Sequence, residues 1–161
     1  KKIILPGVGA YDTAVSNLQK ANLFNGIKSF SEDGYILGIC LGMHLLADSS
    51  EEGDMMGLGL IPGKVMKFDS KRVPVPHIGW NYVDYKDDIF TRNLDNDQRY
   101  FFVHSYFYEC ADKKNSVGCT NYDDKFTSAV SNNINVFGTQ FHPEKSHVFG
   151  KNLLKNYYEI Y

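Results

Sequence analysis

A cysteine with the setting of a nucleophile lies at a strand-to-helix turn in the first third of the chain. Cys40 occupies the motif Gly38-Ile39-Cys40-Leu41-Gly42, between the apolar run 35–39 and a helical pattern. Such a turn, called a nucleophile elbow when the residue is Ser, pushes the side chain out of the sheet. It also places the thiol at a helix N-terminus, where the dipole favours the thiolate. A buried core cysteine is the alternative interpretation of an isolated motif of this kind.

A nucleophilic cysteine needs a base, and the base needs a group that orients it. His142 follows the apolar run 135–141, so it is predicted at the carboxyl end of a strand, where sites form in open α/β sheets. Glu144 stands two residues later, close enough to bond one imidazole nitrogen while the other faces the thiol. Taken alone, the pair could be a loop histidine beside a solvated acid. Together with the elbow, it predicts a Cys40–His142–Glu144 triad.

The elements around these residues are of α/β type in the first quarter of the chain. Ile3-Ile4-Leu5 is predicted to be a short strand that stops at Pro6-Gly7, and a helical pattern covers 11–30. The continuous apolar run 35–39 is typical of a strand buried on both faces, as in a parallel sheet. A helix is predicted over 41–47.

The middle of the chain has the residue pattern that is typical of antiparallel hairpins. Short β-branched or aromatic segments alternate there with Asp, Asn, Lys and Gly. These predicted strands are 65–68, 81–83, 100–108, 116–120 and 127–130. A further strand is expected over 135–141 and a closing helix over 146–161.

Composition limits the functions that are open to this chain. Its 161 residues predict one domain, and the hydrophobic fraction of 43% is ordinary for a globular protein. A net charge of −2 argues against a nucleic-acid or anionic-membrane partner, and no apolar stretch is long enough to cross a membrane. Three cysteines are too few for a disulfide scaffold, which favours a reducing, cytoplasmic location. The histidines lack metal-ligand spacing, so neither a metal nor a cofactor is expected.

The chain resembles the class I (triad) glutamine amidotransferases, and within them the glutaminase subunits of imidazole glycerol phosphate synthases. The matching motifs occur in family order over nearly the whole chain. They are Leu5-Pro6-Gly7-Val8-Gly9-Ala10, Gly38 to Met43, Ser50 to Gly53, Gly57-Leu58-Gly59, Pro76 to Asn81, Tyr100 to Tyr106 and Gln140 to Ser146.

The resemblance implies an α/β fold with a mixed central sheet, flanking helices and an antiparallel hairpin region in the middle. Relatives carry a further strand, helix and strand before the Pro-Gly-Val-Gly segment. The expectation is therefore a single glutaminase domain over 1–161 that lacks this N-terminal unit.

The resemblance also implies a role for each matching residue. Cys40 attacks the side-chain amide of glutamine, His142 moves the proton, and Glu144 orients His142. The oxyanion donors are the N–H groups of Leu41 and of the Gly7-Val8 segment. The residues implied to bind glutamine are Gly9, His44, Glu52, His104, Ser105 and Tyr106.

A synthase partner is implied in the same way. Ammonia would pass to a cyclase subunit with a (β/α)8 barrel, in a heterodimer that serves histidine biosynthesis. The residues implied to form the docking face are Pro76, His77, Ile78, Trp80, Asn81 and Phe101.

One departure from the family pattern keeps alternatives open. His44 stands four residues after the nucleophile, where the family has Gln. An imidazole can donate to the substrate as the amide does, or it can simply pack on the helix. One alternative function is a paralogous subunit that supplies ammonia for surface-sugar amidination. A second is a catalytically silent binding subunit.

Overall fold

The computed structural model describes residues 1–122 and 124–160. The helices are α1 (Tyr11–Lys20), α2 (Leu23–Phe30), α3 (Leu41–His44) and α4 (His147–Glu159). The strands are β1 (Lys2–Gly7), β2 (Tyr35–Cys40), β3 (Ser49–Ser50), β4 (Gly63–Lys67), β5 (His77–Tyr82), β6 (Asp84–Tyr85), β7 (Arg99–His104), β8 (Tyr106–Cys110), β9 (Ser116–Tyr122), β10 (Asp124–Ser131) and β11 (Val136–Thr139). Two short 3-10 turns cover Lys113–Asn115 and Pro143–Lys145.

Three parallel strands form the part of the sheet that carries the site. β2 lies between β1 and β11 and pairs with both in parallel. Gly7 pairs with Cys40 across β1 and β2, and Thr139 pairs with Ile39 across β11 and β2. The carboxyl ends of the three strands therefore meet at one edge of the sheet, which is the edge that the sequence predicts for the site.

The rest of the sheet is mainly antiparallel. Within the described residues, nine strands form one mixed sheet, with β10, β8, β4 and β3 following β11 in order. β9 pairs with β10, and β6 pairs with β9. β5 and β7 form a separate antiparallel pair, which is linked to the main body by a bridge between Phe101 and His142. The mixed sheet and the hairpin region confirm the predicted fold class.

The two faces of the sheet are covered by different apolar cores. Ile36 packs with α1, α2 and α3, whereas Leu37 packs with α4 and with the aromatic side chains of the hairpin region. Val136 and Phe137 divide between the two cores in the same way. Successive side chains of a strand point to opposite faces, which explains why β2 and β11 are mostly apolar.

Several boundaries differ from the sequence prediction for local physical reasons. The helix predicted over 11–30 is broken at Asn22, whose φ of 57° is left-handed, a conformation that Asn tolerates. β1 continues through Pro6, which an edge strand accepts because its missing N–H faces away from the partner strand.

The helix predicted over 41–47 ends at His44 because a loop competes for its carbonyl groups. The backbone N–H groups of Leu58, Leu60 and Gly59 donate to the carbonyls of Leu45, Leu46 and Ala47. The closing helix begins and ends close to its predicted bounds. Its last predicted residue, Tyr161, lies outside the described residues.

Candidate active site

Cys40 sits on a strained turn that close backbone packing holds in place. It ends β2 with φ 54° and ψ −110°, and α3 begins at the next residue. A Cβ on Gly42 would lie 1.7 Å from the carbonyl oxygen of Leu5, and one on Gly38 would lie 2.5 Å from that of Gly42. Only glycine permits these approaches, so the two glycines of the motif allow the elbow to form. Left-handed φ at a residue other than glycine is a form of strain found at functional sites.

The thiol of Cys40 is not poised as a thiolate, which differs from the sequence expectation. Burial raises its pKa to about 11, an effect larger than the lowering by the backbone N–H of Leu41. Glu144 raises the pKa further, while Lys145 and Gln140 lower it. α3 has only four residues, so it contributes little dipole against the desolvation of a charged sulfur. The Cys40 side chain is therefore a neutral thiol at rest.

His142 and Glu144 have the relative geometry that a base and its orienting group require. His142 Nδ1 donates to Glu144 Oε1 over 2.7 Å, which leaves Nε2 of the neutral ring as an acceptor. Nε2 is buried and has no hydrogen-bond partner within residues 1–122 and 124–160. The backbone is held as well, because His142 N donates to the Phe101 carbonyl and Ser146 Oγ donates to the His142 carbonyl.

A cavity of about 340 Å³ brings most of the predicted residues together. The side chains and backbone that line it are Val8, Gly9, Cys40, Leu41, His44, Glu52, Pro76, Val103, His104, Ser105, Tyr106 and His142. All six residues predicted to bind glutamine are among them. Gly7 does not line the cavity. It packs against Leu41, and a Cβ built on Gly7 would lie 3.1 Å from the Cβ of Leu41. Gly9 has φ 110°, which L side chains rarely adopt.

The loop that carries Glu52 is held by a residue that sequence analysis missed. Asp12, in the first turn of α1, accepts from the backbone N–H groups of Asp54 and Met55, both over 3.0 Å. Ser50 Oγ accepts from the N–H of Glu52 itself. Burial raises the pKa of Glu52. The Glu52 carboxyl is thus a wall of the cavity rather than a fully solvated acid.

His104 lines the cavity, but its ring nitrogens are both occupied. Nδ1 donates to the carbonyl of Tyr106 over 2.7 Å, so Nε2 accepts from Nδ1 of His77 over 2.9 Å. His77 Nε2 in turn accepts from Asn81 Nδ2 over 3.4 Å. Burial lowers the pKa of both rings, to about 4 for His77. This chain of hydrogen bonds requires both histidines to be neutral. Because both ring nitrogens of His104 are occupied, its ring lines the cavity without a free nitrogen to offer a ligand.

His44 departs most clearly from its expected role. Its Nε2 lies 2.7 Å from Oε1 of Gln140, and burial lowers its pKa to about 4. The nitrogen expected to donate to the substrate instead donates to the protein. Gln140 belongs to a motif that matches the family but has no predicted role. Its position two residues before His142, on the same side of an extended segment, was the signal that could have indicated it.

The predicted docking face is an apolar strip on the β5–β7 pair. Ile78 and Trp80 are 62% and 44% exposed, and Tyr82 and Val103, which sequence analysis did not name, extend the strip. Alternation along β5 could have indicated Tyr82. Phe101 and Asn81 are half-buried. Of the other residues predicted for the face, His77 is buried, and Pro76 is exposed but, like Val103, also lines the cavity.

Metal-binding and membrane-spanning features are absent from the part of the chain that the structure describes. No group of three or more His, Cys, Asp or Glu side chains in residues 1–122 and 124–160 could hold a metal ion. No helix there is long and apolar enough to cross a membrane. Cys110 and Cys119 are free thiols, as is Cys40.

Solved structures with a similar fold include glutamine amidotransferases. One, described as a glutamine amidotransferase, has a TM-score of 0.71 at 15% identity and covers 97% of this chain and 78% of that one. A glutamine amidotransferase from Thermotoga maritima has a TM-score of 0.64 at 22% identity, covering 98% of this chain and 60% of its own. At these identities the likeness concerns the fold alone.

Sequence relatives are much closer. The imidazole glycerol phosphate synthase subunit HisH 2 of Methanococcus maripaludis is 49% identical over 160 residues, which is 97% of this chain and 79% of that protein. The HisH subunit of Bdellovibrio bacteriovorus is 44% identical over 99% of this chain and 81% of its own length. Residues 1–160 match the family described as Glutamine amidotransferase class-I. With an elbow cysteine and a carboxylate-bound histidine in one cavity, the chain belongs to the class I glutamine amidotransferases.

Proposed function

We propose that the chain hydrolyses L-glutamine to glutamate and ammonia and passes the ammonia to a synthase subunit. One observation carries this proposal. Cys40 and His142 line the same cavity. His142 Nε2 is buried and has no hydrogen-bond partner among the residues that the structure describes, while Glu144 holds Nδ1. A base with a free acceptor nitrogen in the same cavity as a neutral thiol is what covalent acyl transfer requires.

The first half of the reaction forms a thioester. His142 Nε2 takes the proton of the Cys40 thiol as the sulfur attacks the side-chain carbonyl carbon of glutamine. The developing oxyanion accepts from the N–H groups of Leu41 and Val8, each donor being worth about 10²–10³ in rate. The intermediate collapses as His142 returns the proton to the amide nitrogen, and ammonia leaves. Glu52 accepts from the substrate amide while it is bound.

The second half regenerates the enzyme. Water gives a proton to His142 Nε2 and attacks the thioester carbon, and the carbon–sulfur bond breaks. Cys40 recovers its proton from His142, and glutamate leaves. Glu144 keeps its bond to Nδ1 throughout, which stabilises the imidazolium formed in each half.

Two observations support a synthase partner: the names of the sequence relatives and the exposed apolar strip on the β5–β7 pair. The HisH relatives are named as subunits of imidazole glycerol phosphate synthase. We infer the same pathway, histidine biosynthesis, and a cyclase partner with a (β/α)8 barrel that covers Ile78 and Trp80. Enclosed transfer keeps ammonia from the protonation that it undergoes in neutral water.

The experiment is glutamate release from the chain mixed with a purified partner. We expect release with the cyclase, its loss in Cys40→Ala, and its retention in Cys110→Ala, which removes another free thiol. Release that survives Cys40→Ala would refute the triad. If only a sugar amidotransferase stimulates glutamate release, the chain belongs to surface-sugar amidination instead. A silent native chain with every partner would indicate a binding subunit.

A further inference from the structure

The amide of Gln140 lies between His44 and the nucleophile. Its Oε1 is 2.7 Å from His44 Nε2, and its Nε2 is 3.9 Å from Cys40 Sγ. His44 is 4% exposed and Gln140 is fully buried, so water does not compete for either amide contact. The two partners of Gln140 are far away in sequence, and the fold alone brings them together.

The direction of these hydrogen bonds follows from the chemistry of the groups. His44 is neutral near pH 7, because burial lowers its pKa to about 4. An amide oxygen can only accept, so His44 carries its proton on Nε2 and donates it to Gln140. That bond fixes which end of the amide faces which neighbour. The NH₂ group of Gln140 is thereby turned towards the sulfur of Cys40.

We propose that His44 is a positioning residue, which acts on the nucleophile by holding Gln140 as a hydrogen-bond donor to the Cys40 thiolate. The proposal rests on the proposed function only for the role of Cys40. A separation of 3.9 Å is long for a neutral thiol. A thiolate is the stronger acceptor, so the contact gains most when the sulfur becomes charged during the reaction.

Several groups act on the protonation of the buried sulfur, and the backbone N–H of Leu41 is the strongest of those that favour the thiolate. The charged side chains that act on Cys40 are Glu144, which disfavours the thiolate, and Lys145, which favours it. His142 faces the same cavity. His104, which also lines the cavity, has both nitrogens occupied. The Gln140 amide adds to the bond from Leu41 and is the side-chain hydrogen-bond donor that acts on the thiol.

The test measures the alkylation of Cys40 by iodoacetamide against pH, with the Cys40 peptide quantified by mass spectrometry. The reaction needs neither glutamine nor a partner, so it reports on the thiol even if the proposed function is wrong. In His44→Leu the amide of Gln140 is free to turn its oxygen towards the sulfur. We expect alkylation at neutral pH to slow about tenfold, which corresponds to a rise of about one in the pKa of the thiol.

Two further variants and one control separate positioning from a merely structural role. His44→Gln should restore the native alkylation profile, since its amide can also donate to Gln140 Oε1. Gln140→Glu keeps the side-chain shape but replaces the donor with an acceptor, so it should slow alkylation as His44→Leu does. Tyr108→Phe removes another buried hydrogen bond, to the carbonyl of Ile61, and should leave the profile unchanged.

Glutamate release in the presence of the partner gives the second readout. Positioning predicts that His44→Leu lowers kcat and leaves KM for glutamine almost unchanged. An unaltered alkylation profile, with KM raised instead, would overturn the proposal and assign His44 to direct binding of glutamine. If His44→Leu fails to fold by circular dichroism, Gln140→Glu alone decides: native alkylation in that variant also overturns the proposal.

Discussion

At the scale of single residues, the proposed nucleophile has to be generated during the reaction. Burial keeps the Cys40 thiol protonated, so the free chain is protected from alkylation and oxidation, which need the thiolate. In the same cavity, His142 has one acceptor nitrogen without a partner among the described residues, and Glu144 holds the other nitrogen as a donor. In the proposed mechanism, substrate, oxyanion donors and base must therefore act together before the sulfur becomes nucleophilic.

Glu144→Gln should slow catalysis without unfolding the chain. The amide N–H of the new Gln can donate to Nδ1 of His142. The ring proton then sits on Nε2, which can no longer accept a proton as a base. By analogy with other triads, we expect glutamate release with the partner to fall by about 10²–10⁴. Glu109→Gln, an exposed acid on β8, is the matched control and should retain native turnover. A turnover of Glu144→Gln within about twofold of native would contradict the assigned role.

Buried neutral histidines should make the fold sensitive to acid. The pKa of His44 is lowered by burial from its ordinary value of 6.5 to about 4, so the unfolded chain binds the extra proton first. Stability is then fully present above about pH 6.5 and is lost as pH falls towards 4. His77 and His104 act in the same direction.

The measurement is urea unfolding at several pH values across that window. A difference of one in pKa corresponds to about 1.4 kcal/mol, so the loss should be easy to detect. His44→Gln, which cannot titrate, should show a shallower dependence than the native chain. A native profile that is flat between neutral pH and about pH 4.5 would show that these histidines are not held neutral.

At the scale of elements, the elbow depends on how closely α3 approaches β1. The backbone at Gly42 packs directly on the carbonyl of Leu5, and Gly7 packs on the side chain of Leu41. The segment proposed to hold the oxyanion and the proposed nucleophile thus share one close backbone contact. The Glu52 loop is joined to the start of α1 through Asp12, so both walls of the cavity are anchored to the same strand–helix unit.

Gly42→Ala should damage this contact severely. Its Cβ would meet the Leu5 carbonyl at 1.7 Å, so α3 or β1 must move. We expect a loss of about 2–4 kcal/mol in the free energy of unfolding and a loss of glutamate release. Gly26→Ala is the matched control, because a Cβ there meets nothing within 4 Å in the middle of α2. It should be neutral or stabilising by up to about 1 kcal/mol.

Chemical unfolding followed by circular dichroism distinguishes the two variants. If Gly42→Ala is as stable and as active as Gly26→Ala, the close approach of α3 to β1 does not support the site. The comparison removes the general effect of alanine on helix propensity, because both glycines lie in helices.

At the scale of the whole molecule, the β5–β7 pair connects the outer surface to the site. Ile78 and Trp80 lie on its exposed outer face, and the partly exposed Val103 of β7 also lines the cavity, together with His104. Phe101 in β7 bonds the backbone of His142, and its own N–H donates to Ser146 Oγ. A partner that presses on this strand pair therefore acts on the segment that carries the base.

Trp80→Ala should weaken binding of the cyclase partner. Trp80 is the large aromatic side chain of the strip, and its ring stacks on His147 at 5.3 Å between centroids. Aromatic residues that become buried in this way dominate interface energies, so we expect Kd to rise at least about tenfold in isothermal titration calorimetry. Ile134→Ala is the control, since Ile134 is also an exposed apolar residue but precedes β11, at the opposite end of the parallel strands. Equal Kd values for the two variants would exclude the strip as the docking face.

Much of this site could be predicted because its chemistry is local in sequence. The elbow glycines are within two residues of Cys40, and Glu144 is two residues from His142, so short-range geometry determines both pairs. The burial of β2 and β11 likewise follows from their apolar runs, since a strand buried on both faces needs no polar residue.

Tertiary structure decided what depends on burial and on residues distant in sequence. The protonation state of Cys40 results from packing on every side, which the helix-dipole argument from sequence does not include. The partner of His44 is Gln140, and that of His104 is His77, and neither pairing leaves a periodic signal. The length of α3 was set by a loop that takes the carbonyl groups of the three residues after it, 45–47. The sequence by itself therefore determined the reactive groups and their family, whereas the fold determined their charge and hydrogen bonds, because desolvation and long-range pairing exist only once the chain is packed.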